Sequence, residues 1–174
     1  MIIRTQRLEI RPLEGTDLED LFSIYGDEDT CRYLLHDAWT KDNRNSCFEN
    51  LLKKNDLSGP GLYLACILDE RVIGTLSASY TDMKDTVEIG YVLNKEYKGK
   101  GYAYEAVKAM MDRLFEAYEV HRIITNMDAR NSDSAKLCES LGMRREAHFL
   151  KDYWNKGEWT DSFIYAVLKE EWKK

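Results

Sequence analysis

The chain has 174 residues, of which 44% are hydrophobic and 32% charged, with a formal net charge of −6. That length suits one sheet-based core rather than two, and the charge content argues against insertion in a membrane. The acidic balance also disfavours a general nucleic-acid binder, which normally carries a basic face.

The N-terminal residues Met1-Ile2-Ile3-Arg4-Thr5-Gln6-Arg7 lack the long apolar stretch and small-residue cleavage site of a signal peptide. No apolar run approaches the ~18 residues that a transmembrane helix needs. A cytoplasmic chain is expected, with the separated cysteines Cys31, Cys47, Cys66 and Cys138 reduced and buried. His36, His121 and His148 show no metal-ligand spacing, so no metal site is expected.

Taken in order, Ile3 to Leu13 reads as one strand, with Leu8, Ile10 and Pro12 facing one way and Arg7, Glu9 and Arg11 the other. Thr16 or Asp17 is placed to cap a helix that buries Leu18, Leu21, Phe22 and Tyr25 and stops at Gly26. No Lys or Arg falls between Pro12 and Cys31, whereas Glu14, Asp17, Glu19, Asp20, Asp27, Glu28 and Asp29 do. This acidic run reads either as a solvated helix face suited to the macrodipole or as a negative field drawing in a cationic substrate.

A short helical piece around Thr30–Leu34 follows, then a helix capped by Thr40 and running to Lys54. Ser58-Gly59-Pro60-Gly61 is a turn. Leu62–Leu68 and Val72–Tyr80 read as a hairpin, and Val87–Leu93 as the next strand. From Gly101 to Tyr118 apolar residues recur every three to four positions, which predicts a helix. His121–Met127 is a strand, and Ser132–Leu141 a helix ended by Gly142 in a left-handed cap. Met143–Leu150 and Asp161–Leu168 are strands flanking the turn Asn155-Lys156-Gly157. The order predicts an α/β (α+β mixed) single domain, with a mixed sheet and helices on both faces.

The segment Glu88-Ile89-Gly90-Tyr91-Val92-Leu93-Asn94-Lys95-Glu96-Tyr97-Lys98-Gly99-Lys100-Gly101-Tyr102-Ala103 carries the clearest chemistry. A strand enters a loop with glycines two apart, and a helix begins at once. Gly99 and Gly101 let backbone N–H groups converge, and the helix start adds free donors and a positive dipole end, which makes an anion site. The G-x-x-x-x-G-K-[ST] phosphate loop is absent, and Tyr104 stands where a dinucleotide fold needs its third glycine.

The sequence resembles the GCN5-related N-acetyltransferase (GNAT) superfamily, in particular the branch with the ribosomal-protein alanine N-acetyltransferases. The likeness covers nearly the whole chain. It rests on Thr5–Leu13, Glu88-Ile89-Gly90-Tyr91, Lys98-Gly99-Lys100-Gly101-Tyr102-Ala103, Asn131-Ser132-Asp133-Ser134 with Leu141-Gly142-Met143, and Lys156-Gly157-Glu158-Trp159 with Asp161 and Tyr165.

The resemblance implies a mostly antiparallel sheet splayed at its centre and an acetyl transfer from acetyl-CoA to a primary amine by direct attack. Backbone groups of Tyr91, Val92 and Leu93 would pair with the pantetheine arm like an added strand. Amides from Lys98, Gly99, Lys100, Gly101, Tyr102 and Ala103 would hold the pyrophosphate. Asn131 would hydrogen-bond the pantetheine, unless it merely caps its helix, and Ser134 would lie near the thioester sulfur. Many members place a tyrosine where this chain has Cys138, so Ser134 becomes the first candidate for protonating the leaving thiolate. Glu88 ranks first as general base, ahead of His148 and Asp152, which are expected on the acceptor side.

A protein N-terminus and a small amine both remain open as acceptors, with no nucleic-acid or membrane partner expected, and a homodimer is compatible with the sequence. A non-catalytic acyl-CoA-binding or regulatory module is the alternative reading.

Overall fold

A computed structural model describes residues 1–172. A nine-stranded sheet runs β1 (Ile3–Arg4), β2 (Glu9–Pro12), β4 (Gly61–Leu68), β5 (Arg71–Tyr80), β6 (Thr86–Leu93), β7 (Arg122–Asp128), β9 (Glu158–Leu168), β8 (Arg144–Asn155), with β3 (Asn55–Asp56) paired to β4. Helices α1 (Leu18–Tyr25), α2 (Glu28–Cys31) and α3 (Arg44–Leu52) cover one face. The long α4 (Tyr102–Ala117) and α5 (Ser132–Ser140) cover the other.

The strand alternation that separates the two faces is plainest in β4. Leu62, Leu64 and Cys66 pack toward α4, whereas Tyr63, Ala65 and Ile67 pack toward α1 and α3. In β5 the register breaks opposite Cys66 and Ile67, so Ile73 is left unpaired. That one-residue bulge brings Ile73 onto the same face as Leu76 and Ala78 despite the odd spacing. On α4 the buried residues are Ala106, Val107, Met110, Met111, Leu114 and Phe115, one stripe at helical spacing.

Several elements differ from the sequence reading. The first strand is two: Thr5 to Leu8 turn the chain, and Ile3 pairs with Ile10. Asp17 does not cap α1 through its side chain. Its carboxylate is buried and grips the Arg11 guanidinium at 2.8 and 2.9 Å, while also accepting from the Glu14 amide. Thr40 does hold the start of this segment, its Oγ1 accepting from the Asn43 amide at 3.3 Å and its carbonyl from the Arg44 amide at 3.0 Å, but α3 itself begins only at Arg44. The last hairpin is longer than expected. Its strands reach Asn155 and Glu158, joined by a two-residue turn with positive φ at Lys156 and Gly157. Cys31, Cys66 and Cys138 are buried, and all four thiols are free. No helix among the described residues is long and apolar enough to cross a membrane.

All strand pairs are antiparallel except β6 with β7. Their parallel pairing covers only Thr86–Glu88 against Arg122–Ile124. Beyond Glu88 the two strands diverge and the sheet opens as a wedge.

Candidate active site

The wedge leaves one edge of Ile89–Leu93 without a strand partner, so alternate residues there turn amide and carbonyl into open space. Gly90 lets the Ser77 hydroxyl of β5 sit against β6, since a Cβ at this position would stand 2.7 Å from it. Below the wedge, the chain leaves β6 through a 3-10 turn at Lys95–Tyr97 and reaches α4 across Gly99 and Gly101. Both glycines sit at positive φ, 76° and 79°, a conformation that any side chain would strain. Glu105 bonds back to the Gly101 carbonyl at 3.1 Å, and the amides of the first helical turn ahead of it have no partner among the described residues. The Lys98 amide is different: it donates to the Lys95 carbonyl and is spent on its own turn.

Arg7, which the strand pattern marks only as outward-facing, braces this loop. Its guanidinium donates to the Lys100 carbonyl at 2.8 Å, pairs with Glu105 at 2.6 Å and stacks on the Tyr102 ring at 4.4 Å. The three lysines are less uniform than their spacing suggests. Lys95 reaches away to Asp27 at 2.5 Å, which holds that carboxyl down at about 2, together with hydrogen bonds from Thr30. Lys98 sits 3.8 Å from Asp133, and Lys100 lies over Tyr97.

Three adjoining cavities run through the wedge. The first, about 490 Å³, is walled by Leu93, Lys98, Gly99, Gly101, Tyr102 and Ala103 on one side and by Asn131, Ser134 and Leu137 on the other. The second, about 270 Å³, lies between Gly90, Tyr91 and Val92 and the β7 residues Thr125–Asp128. The third, about 180 Å³, opens beside Glu88, Asn126, Asp128, Tyr153, Thr160 and Ser162. Tyr33 and Leu34 line all three. They belong to the irregular segment after α2, tied down by Asn155 on the Leu34 carbonyl and Lys156 on the Cys31 carbonyl. No sequence pattern marks this roof, because its place depends wholly on the β8–β9 hairpin.

Asn131 caps α5, accepting from the Ser134 amide at 3.2 Å through Oδ1, so its Nδ2 is the atom left to donate. The Ser134 hydroxyl makes no hydrogen bond among the described residues, while its carbonyl accepts from the Tyr91 phenol at 3.2 Å. That phenol also meets Cys138 Sγ at 3.2 Å. Burial pushes the Tyr91 hydroxyl well above its ordinary range and the Cys138 thiol up to about 11, so both stay protonated at neutral pH.

Glu88 has no hydrogen-bond or ion-pair partner among the described residues. Water reaches it, yet the cavity walls displace enough solvent for burial to raise its carboxyl above the usual range. Asp128 is the opposite case. Burial alone would raise it, but the hydrogen bonds from Arg130 prevail and hold it low. His148 packs edge-on against Phe163 and meets Asp161 at 3.3 Å. Neither it nor Asp152 is among the residues walling the third cavity.

An open wedge between two parallel strands, leading into a glycine-bent helix start, is matched at the sequence level. The acetyltransferase (GNAT) domain model covers residues 7–144. The chain belongs to the GNAT acetyltransferase family. The uncharacterized N-acetyltransferase YnaD of Bacillus subtilis is 32% identical over 99% of both chains. The ribosomal protein uS5-alanine N-acetyltransferase of Escherichia coli is 31% identical over 48% of this chain and 43% of its own. A crystal structure of a GNAT-family acetyltransferase from Bacillus anthracis, 31% identical, superposes with a TM-score of 0.89 over 98% of this chain and 100% of that one. This GNAT is an acetyl-CoA-dependent N-acetyltransferase.

Proposed function

We propose that the wedge takes the pantetheine arm of acetyl-CoA as a strand between β6 and β7, and that the amine is acetylated where the second and third cavities meet. The observation carrying this reading is the continuity of three spaces: an amide-lined loop, an open strand edge, and a cavity holding an unpaired carboxylate. The residues present fit the donor. Free amides from Gly99 to Ala103 receive the pyrophosphate, the edge of Tyr91, Val92 and Leu93 offers alternate backbone groups, and Asn131 Nδ2 adds one donor.

Transfer requires a neutral amine, a donor to the charge developing on the carbonyl oxygen, and a proton for the departing thiolate. Glu88 accepts the amine proton, its raised carboxyl being better matched to neutral pH than an ordinary glutamate. Backbone N–H groups at the open edge, such as that of Leu93, face the developing oxyanion. Ser134, whose hydroxyl is uncommitted beside both inner cavities, delivers the proton to sulfur. The four free thiols suit a cytoplasmic enzyme.

Titration calorimetry with coenzyme A, paired with a thiol-release assay across primary amines, tests the proposal. Micromolar binding and release that depends on the amine are expected. Absence of coenzyme A binding would end it, and binding without turnover on any amine would leave only a non-catalytic module.

A further inference from the structure

The third cavity has a rim unlike its floor. Phe149 stands opposite Ser162 in the β8–β9 ladder, and Tyr153 opposite Thr160. Residues directly paired across two strands share a face, and Ser162 and Thr160 wall the cavity, so Phe149 and Tyr153 rise from the same face. Leu35 adds a third apolar side chain from the roof segment. Their exposures are 50% for Phe149, 42% for Tyr153 and 68% for Leu35. Two of these exposed groups wall the cavity, and Phe149 stands on the same sheet face beside Ser162, a surface suited to something apolar.

This rim is held in place. The ladder breaks its register between Phe149 and Tyr153, Lys151 adopts φ 47°, and the Lys151 amide is pinned to Asp161 Oδ1 at 2.8 Å. The roof segment is strapped by Asn155 and Lys156, as described above.

Two carboxylates, Glu88 and Asp128, wall the third cavity. Asp128 and Glu158 both bind Arg130 at 2.8 Å. The acidic run upstream is largely consumed as well: Asp17 by Arg11, Glu19 by Arg44, Asp20 by Arg71, Asp27 by Lys95 and Asp29 by Arg32. Glu88 is therefore the one carboxylate walling the third cavity without a partner among the described residues. A polyamine, with several ammonium groups spaced along a chain, needs several unpaired carboxylates. This cavity supplies one, followed by hydrocarbon.

We infer that the acceptor is a primary amine with a single positive charge next to an apolar body, the amine meeting Glu88 and the body resting on Leu35, Phe149 and Tyr153. The inference rests on the catalytic reading above. A free arylalkylamine and a peptide N-terminus with apolar first residues present the same chemistry, and the test separates them.

Thiol release by the full-length protein is measured with 2-phenylethylamine, with a short peptide beginning in apolar residues, and with spermidine. One of the first two should exceed spermidine in kcat/KM by at least about tenfold, and whichever leads identifies the source. Phe149→Ser and Leu35→Ser, both at exposed positions, should each raise the KM of that acceptor about five- to tenfold, without moving the KM for acetyl-CoA. Preference for spermidine, or acceptor KM values within twofold of the parent in both variants, overturns the inference and leaves the catalytic reading standing. Failure of every amine removes both.

Discussion

Glu88 combines two properties that pull against each other. Its carboxyl is pushed up by burial and nothing on the protein compensates, so the folded enzyme holds its proton more tightly than the unfolded chain does. By linkage, stability is greatest below the unfolded pKa and declines as pH rises through the folded one. Glu88 being exposed to solvent, Glu88→Gln is expected to melt at or slightly above the parent's temperature at pH 7, while kcat/KM falls by roughly 10²–10⁴-fold. As the proposed base, Glu88 sets an acid limb of the pH–rate profile above the usual carboxylate range, and that limb should vanish in the variant. A combined melting and pH–rate series checks both. Ser134→Ala should lower kcat by about 10²-fold with little change in the KM for acetyl-CoA; full kcat with an unaltered pH profile would transfer the proton-donor role elsewhere. The Tyr91 phenol is the less suitable donor, because it is already committed to the Ser134 carbonyl and Cys138.

Among the elements, the loop before α4 was the most legible in the sequence. Two glycines in alternation between an apolar strand and an amphipathic helix leave few other structures, and both take the left-handed conformation. Its brace was not legible. Arg7 lies far along the chain from Lys100 and Glu105, and a strand-alternation pattern says only that it points outward. Arg7→Ala should loosen the loop and raise the KM for acetyl-CoA about fivefold, leaving the acceptor KM unchanged, as two-substrate kinetics would report. The β8 strand was read too short for a related reason. It is an edge strand exposed on both sides, so the buried–exposed alternation that marks an inner strand is missing between Leu150 and Asn155. Asp17 looked like a helix cap because caps favour aspartate, whereas a nearby arginine offered a stronger partner. Losing that largely buried pair in Asp17→Ala should cost about 3 kcal/mol, visible in chemical denaturation.

For the whole molecule, the acidic balance of the chain says little about its site. Most carboxylates in the Pro12–Cys31 run are matched by cations, and three of those cations, Arg44, Arg71 and Lys95, come from distant elements that sequence proximity conceals. Fold class, element order and the two-sided packing of the sheet followed from periodicity, because each strand and helix carries its own apolar stripe. The position of the third cavity did not, since it forms only where α2's following segment, β7 and the final hairpin meet.

The short parallel pairing of β6 and β7 has one further outcome. Among the described residues, the ladder between β6 and β7 has three residue pairs and does not continue past Glu88 along β6. A molecule inserted there completes the seam, and its free energy of association is added to that of folding. At a hundred times its dissociation constant, that contribution is about 2.7 kcal/mol. Resistance of this protein to heat and to proteolysis should thus climb with the supply of its acyl carrier, a dependence that limited digestion at graded coenzyme A concentrations would expose.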